Sequence, residues 1–215
     1  MNRKLLDTKK LVLLAMFAAV AYLMVLLIRI PVVLFLNYEP KDVVITVGAF
    51  LFGPLSGAVV SLLVSLVEMV TISTTGPVGA LMNFLSTCCF VCTAAAIYKK
   101  WHTGKGALMG LLLGSAAMIA VMLLWNWLIT PMYMGVDRQT VEGMLLPVFL
   151  PFNVLKAALN TAITLLIYKP LVTGLRSAGL LKQSEKASSK PELYLVGGLL
   201  LVSAVLLYLV LTGVL

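Results

Sequence analysis

The stretch LVLLAMFAAVAYLMVLLIR, residues 11–29, carries no charge until it reaches Arg29. Wound as a helix at about 1.5 Å per residue, its uncharged part is about 27 Å long, close to the roughly 30 Å hydrocarbon core of a bilayer. It is too long and lies too deep in the chain for a simple secretory signal, and no small-residue cleavage site follows it. The segment reads as a transmembrane helix, and comparable runs follow it along the chain. They cover Val43–Phe52, Leu55–Val70, Val78–Tyr98, Ala107–Met132, a stretch within Met144–Leu171, and Leu193–Leu211. Between the first two lies a non-helical stretch, Ile30–Lys41. Gly53-Pro54 breaks the second run from the third, and Thr71–Pro77 reads as a loop from its hydroxyls, Gly and Pro. Pro147 and Pro151 interrupt the start of the sixth run.

Composition points the same way. Hydrophobic residues make up 61% of the 215 and charged residues only 11%, too apolar for a soluble chain of this size. The expected fold is all-α: a polytopic transmembrane helix bundle of six core helices, with a seventh C-terminal span. Residues 1–172 form the membrane domain, 173–192 a polar cytoplasmic linker, and 193–215 the extra helix. The formal charge of +8 does not indicate nucleic acid, because the basic residues lie in short patches between apolar runs. That is a topology signal facing anionic lipid.

With the N-terminus in the cytoplasm, the inner side collects Arg3, Lys4, Lys9, Lys10, Lys99, Lys100, Lys105, Lys169, Arg176, Lys182, Lys186 and Lys190. The outer side receives Arg29, Lys41 and Arg138, and Lys156 falls within a span. This bias sets the orientation, and it requires the short Val43–Phe52 run to count as a crossing. The chain is a multi-pass protein of the cell membrane.

Charged groups inside a span are expensive to insert, at roughly 2.5–3.5 kcal/mol each, so those retained there have a task or a partner. Glu68 and Lys156 are such groups, accompanied by Asn83, Asn126, Asn153 and Asn160. Depth along each helix places Glu68, Asn83, Asn126, Asn153 and Lys156 in the outer half of the membrane. Asn153, Lys156 and Asn160 follow an i, i+3, i+7 spacing and share one helix face. Such a set either lines a polar cavity or binds helices together through amide contacts worth about 0.6 kcal/mol each. Glu68 and Lys156 neutralising each other is a further alternative.

Nothing in the sequence is arranged for catalysis or for a metal. His102, the sole histidine, falls in a basic loop, and no nucleotide loop or serine elbow is present. Cys88, Cys89 and Cys92 share one apolar segment and read as small buried residues. A chain of this length has room to bind a solute but carries no energy-coupling machinery, so a partner is implied.

The stretches Asn37-Tyr38-Glu39-Pro40-Lys41-Asp42-Val43 and Gly48-Ala49-Phe50-Leu51-Phe52-Gly53-Pro54 resemble the substrate-binding subunits, or S components, of energy-coupling factor vitamin transporters. The resemblance is greatest to the riboflavin-specific kind. It continues through Thr75-Gly76-Pro77-Val78-Gly79, Met82-Asn83-Phe84 and Leu150-Pro151-Phe152-Asn153 with Lys156 and Asn160, and covers roughly residues 5 to 175. It implies an outward-facing vitamin pocket capped by the loop after the first helix. Its implied polar contacts are Asn83, Asn126, Asn153, Lys156 and Asn160; with the intramembrane Glu68, they make the polar part of the candidate site. Phe35, Leu36 and Tyr38 of the first loop are placed to cover the ligand. It also implies a transmembrane coupling protein and two cytoplasmic ATPases as partners, with Ala15, Ala18 and Ala19 as small docking residues. Riboflavin is then cargo, and no cofactor is expected. S components for thiamine, biotin or pantothenate, and a membrane scaffold with no transport role, are the competing readings. The seventh run departs from the family pattern.

Overall fold

The computed structural model describes residues 3–34, 36–73, 75–180 and 191–213. Its long helices are α1 (Arg3–Leu27), α2 (Lys41–Phe52), α3 (Pro54–Thr71), α4 (Gly76–Trp101), α5 (Gly104–Met134), α7 (Leu150–Ser177) and α8 (Pro191–Leu211). A short helix, α6 (Arg138–Met144), leads through a π-turn at Leu145–Phe149 into α7. Among the described residues, six helical stretches are long and apolar enough to cross a membrane, the continuous Arg138–Ser177 segment among them. Large apolar side chains point outward along them, including Leu62 and Leu66 on α3, Leu112 on α5, and Leu199 and Val202 on α8. A soluble protein would not present such a surface to water; lipid is the solvent that suits it.

The stretch expected to be non-helical folds as a β-hairpin. Strand β1 (Ile30–Val33) pairs antiparallel with β2 (Leu36–Tyr38), matching Ile30 with Tyr38. Phe35, expected among the capping residues, lies outside the described residues. Pro147 and Pro151 do not break the sixth run. Pro147 is taken up in the π-turn and Pro151 opens α7, where a missing N–H costs little.

At 12 residues α2 is about 18 Å long, too short to face lipid across a whole bilayer. It need not, because Lys41 to Phe50 are all buried among the other helices. It still links the two ends of the bundle. Lys41, at its start, meets Glu68 near the end of α3, while Phe50, near its finish, stacks on Tyr98 near the end of α4. Gly53 then turns the chain back into α3 with φ of +95°, a conformation that disfavours any side chain. The chain therefore passes from one end of the bundle to the other through α2 and returns through α3.

The tightest helix contact is α4 against α5. A Cβ on Gly110 would lie 2.6 Å from the Ala94 carbonyl oxygen, and one on Gly114 would lie 2.5 Å from that of Phe90. Glycines four apart let the two backbones approach, as small-residue interfaces do in membranes. Helix α8 lies along α7, with Gly197 against Leu166 and Ala162. Its second half reaches the hairpin: Ala204 is buried in a cluster with Val32, Leu36, Tyr38 and Phe152, and Leu207, Tyr208 and Leu211 pack on it.

Candidate functional site

The sequence that begins α2 does not form an outer loop. Lys41, expected outside the membrane, is only 1% exposed and Asp42 is fully buried. Lys41 Nζ donates to both oxygens of Glu68, each at 2.6 Å, and lies 3.0 Å from Glu39 Oε2. Arg29 Nε donates to Glu39 Oε1 at 2.9 Å, and Asn83 Nδ2 to Glu68 Oε2 at 3.0 Å. This relay joins the hairpin to α2, α3 and α4.

A second relay starts at the next residue. Lys156 Nζ lies 3.2 Å from Asp42 Oδ2 and 3.3 Å from Ser86 Oγ. Thr87 donates its hydroxyl to Asp42 Oδ1 at 2.7 Å, and Asn160 Nδ2 donates to Asp42 Oδ2 at 3.1 Å. Tyr38 completes the chain by donating its hydroxyl to Asn160 Oδ1 at 3.1 Å. Glu68 and Lys156 therefore do not neutralise each other; each has its own partner on α2. Arg29, Lys41 and Lys156 balance Glu39, Asp42 and Glu68, so the network is neutral as a whole. Buried charges persist only when paired and fully hydrogen-bonded in this way.

In the non-helical link before α2, burial works to raise the pKa of Glu39, but Lys41, Lys156 and Arg29 outweigh it and hold the carboxyl below its ordinary value. Burial pushes the Tyr38 phenol well above its usual range, with Asp42 adding to the effect, so Tyr38 stays a neutral donor.

Beside the network a cavity opens at the end of the bundle under the hairpin. Leu36, Glu68, Asn83, Asn126, Asn153 and Lys156 all line it. Tyr38 and Asn160 do not; they stand behind the wall, where they orient Asp42 and, through it, Lys156. The polar residues differ in what they have left to offer. Asn126 donates its amide N–H to the Met122 carbonyl and accepts the Thr130 hydroxyl on its oxygen, which satisfies much of it within α5. Asn153 donates to the Phe149 carbonyl at 2.7 Å, leaving its oxygen and a second N–H. Lys156 has three donors, two of which Asp42 and Ser86 engage.

The apolar walls were not anticipated. Met122, Trp125, Ile129 and Tyr133 line the cavity from α5, Val78 and Met82 from α4, and Phe152 from α7. Helical spacing carried the signal: Met122, Trp125, Ile129 and Tyr133 lie within a turn or two of Asn126 on its own face. Lys41 and Asp42 were missed because a charged pair after a proline reads as solvent-exposed.

Ala15 and Ala19 are exposed on α1, while Ala18 is half-buried and packs on the core. Ala15 and Ala19 thus share the outward face of α1, and Ala18 turns toward the core. The three cysteines are half-buried, and Cys92 donates weakly to the Pro54 carbonyl. Among the described residues no cluster of metal-ligating side chains occurs.

A helical membrane bundle that encloses a small-molecule cavity at one end, beside a network of paired charges, has the architecture of a solute-binding membrane protein. The sequence model of the family described as "ECF transporter, substrate-specific component" matches residues 9–168, and the chain belongs to that family. It is 29% identical over 188 residues to the riboflavin transporter FmnP of Bacillus subtilis strain 168, covering 80% of this chain and 98% of that one. It is 27% identical over 179 residues to the riboflavin transporter RibU of Staphylococcus aureus strain TCH60, covering 79% and 94%. Among solved structures, one reported as "Structure and mechanism of the S component of a bacterial ECF transporter" superposes with a TM-score of 0.67 at 29% identity. It covers 79% of this chain and 99% of that chain. These relatives are transporters and not enzymes. Helix α8 begins after the family match ends.

Proposed function

We propose that this chain binds riboflavin in the cavity beneath the hairpin and delivers it to an energising module of a transmembrane coupling protein and two cytoplasmic ATPases. The observation that carries the reading is the combination of aromatic walls with a charge-balanced polar floor. A flavin is a flat, mostly apolar ring edged with carbonyl and imino groups and attached to a neutral polyol. It suits apolar walls with a few fixed donors and acceptors. Trp125, Tyr133 and Phe152 supply ring-sized surfaces. Asn153 and Lys156 offer the donors, Asn83 and Asn126 further amide contacts, and Glu68 holds Asn83 in place. Leu36 covers the ligand, and Tyr38 and Asn160 support Lys156 from behind.

Riboflavin is favoured over anionic vitamins such as biotin or pantothenate because Arg29 and Lys156 already have carboxylate partners in Glu39 and Asp42. A carboxylate ligand would have to compete for them. In this reading the N-terminus is cytoplasmic and the hairpin outside. Residues 1–172 form the binding domain, 173–192 the linker and 193–215 an additional span. Ala15 and Ala19 face outward to meet the coupling protein. Protein purified in detergent from cells grown with the vitamin should carry flavin, seen as yellow colour and fluorescence. A colourless protein that instead retains thiamine or biotin from an equimolar vitamin panel would overturn the choice of ligand.

A further inference from the structure

A second cavity lies at the opposite end of the bundle from the hairpin, formed where α2 and α4 end and α5 and α8 begin, beside the last turns of α7. Phe50, Tyr98, His102, Tyr168, Lys169 and Arg176 line it, and no acidic side chain does so among the described residues. Tyr98 and Tyr168 share a hydroxyl–hydroxyl hydrogen bond of 2.8 Å, and Phe50 stacks on Tyr98 with ring centres 4.5 Å apart, which fixes one wall. Two polar atoms in its lining residues are buried without a hydrogen-bond partner: Oγ1 of Thr164, on a residue with no exposed surface, and Nε of Arg176. Leaving such a group unsatisfied is costly. Native structures tolerate it where something else completes the bond. Leu193 and Tyr194 of α8 close the remaining side, so this site uses a helix outside the family match.

We infer that this cavity binds the phosphate headgroup of an anionic phospholipid of the inner leaflet. The two cations and the unsatisfied donors suit phosphate oxygens, since guanidinium and ammonium groups bind phosphate through charge-assisted hydrogen bonds. The aromatic and aliphatic walls, in a chain whose outer surface is lipid-facing, suit an amphiphile rather than a free ion. Lys99, Lys100 and Lys105 lie at the same end, where basic residues attract anionic lipid. The headgroup ties the start of α8 to the ends of α4 and α7. Its assignment to the inner leaflet rests on the orientation proposed above.

The test is thermal unfolding of the full chain in neutral detergent with phosphatidylglycerol, phosphatidylcholine or inorganic phosphate as titrant. Phosphatidylglycerol should raise the unfolding temperature well beyond phosphatidylcholine. Lys169→Gln and Arg176→Gln should each weaken its apparent affinity about tenfold, the equivalent of roughly 1.4 kcal/mol. Both variants should still bind riboflavin, which shows that they are folded and separates this result from the fate of the vitamin reading. Equal effects of the two lipids, or variants that respond as the wild type does, would overturn the site. A response to inorganic phosphate matching that to phosphatidylglycerol would reject the lipid as its occupant.

Discussion

Asp42 and Lys156, from α2 and α7, meet at 3.2 Å behind the cavity wall that Lys156 lines, and both carboxylate oxygens of Asp42 have partners. This pair makes Lys156, the proposed ligand contact, and Asp42 interdependent. Removing one member of a buried pair strands the other, at a cost of about 3–5 kcal/mol, whereas replacing both with apolar groups is often tolerated. Asp42→Ala should therefore destabilise the bundle by that amount in detergent unfolding. Combining Asp42→Leu with Lys156→Met should restore most of the stability but not riboflavin affinity. Full recovery of both would show that Lys156 has no contact with the ligand.

The two cavity asparagines on α5 and α7 should differ. Asn126 is held by Met122 and Thr130 on its own helix, whereas Asn153 keeps an acceptor and a donor free of such contacts. Asn153→Ala should weaken riboflavin binding about five- to a hundredfold, the equivalent of roughly 1–3 kcal/mol for a stranded partner. Asn126→Ala should weaken it by clearly less. Isothermal titration of both variants decides the order, and a larger loss at Asn126 would mean that its present partners exchange for the ligand.

Most of the fold was legible because membrane helices are written as long apolar runs, and the bilayer leaves the backbone few alternatives. Asn83, Asn126, Asn153 and Lys156 were legible for a related reason: polar residues are rare in such runs and stand out. Lys41 and Asp42 were not. In a sequence, the stretch Glu39-Pro40-Lys41-Asp42 looks like a hydrated loop, and only the hairpin folding over it shows that these charges are buried. Trp125 and Tyr133 were hidden for the opposite reason, since an aromatic residue in an apolar helix does not reveal whether it faces lipid or a ligand. The hairpin itself was unreadable, because four- and three-residue strands leave too short an alternation to detect.

Ala15→Trp and Ala19→Trp should leave riboflavin binding intact, because both residues are exposed on α1. Each should abolish uptake in cells that also make the coupling protein and its ATPases, since an indole there prevents close helix approach. Normal uptake by both variants would remove the docking role.

Helix α8 starts beside Gly104, at the end of the bundle opposite the hairpin, and packs through Tyr208 and Leu211 against the cluster that holds the hairpin. Its far end should therefore emerge outside. A cysteine placed at Leu215, a position outside the described residues, should react with an impermeant thiol reagent in intact cells once the three native cysteines are replaced. Labelling only after lysis would mean that α8 does not cross.

In the proposed function this chain alone, without nucleotide or partner, forms the vitamin site. Titrating riboflavin with purified protein and following flavin fluorescence tests it directly. Saturable quenching at one flavin per chain is expected, as the ring stacks against the aromatic wall containing Trp125. Asn153→Ala should shift the curve to higher protein concentration. Unquenched flavin, or an identical curve from folded Asn153→Ala protein, would contradict the placement of riboflavin in this cavity.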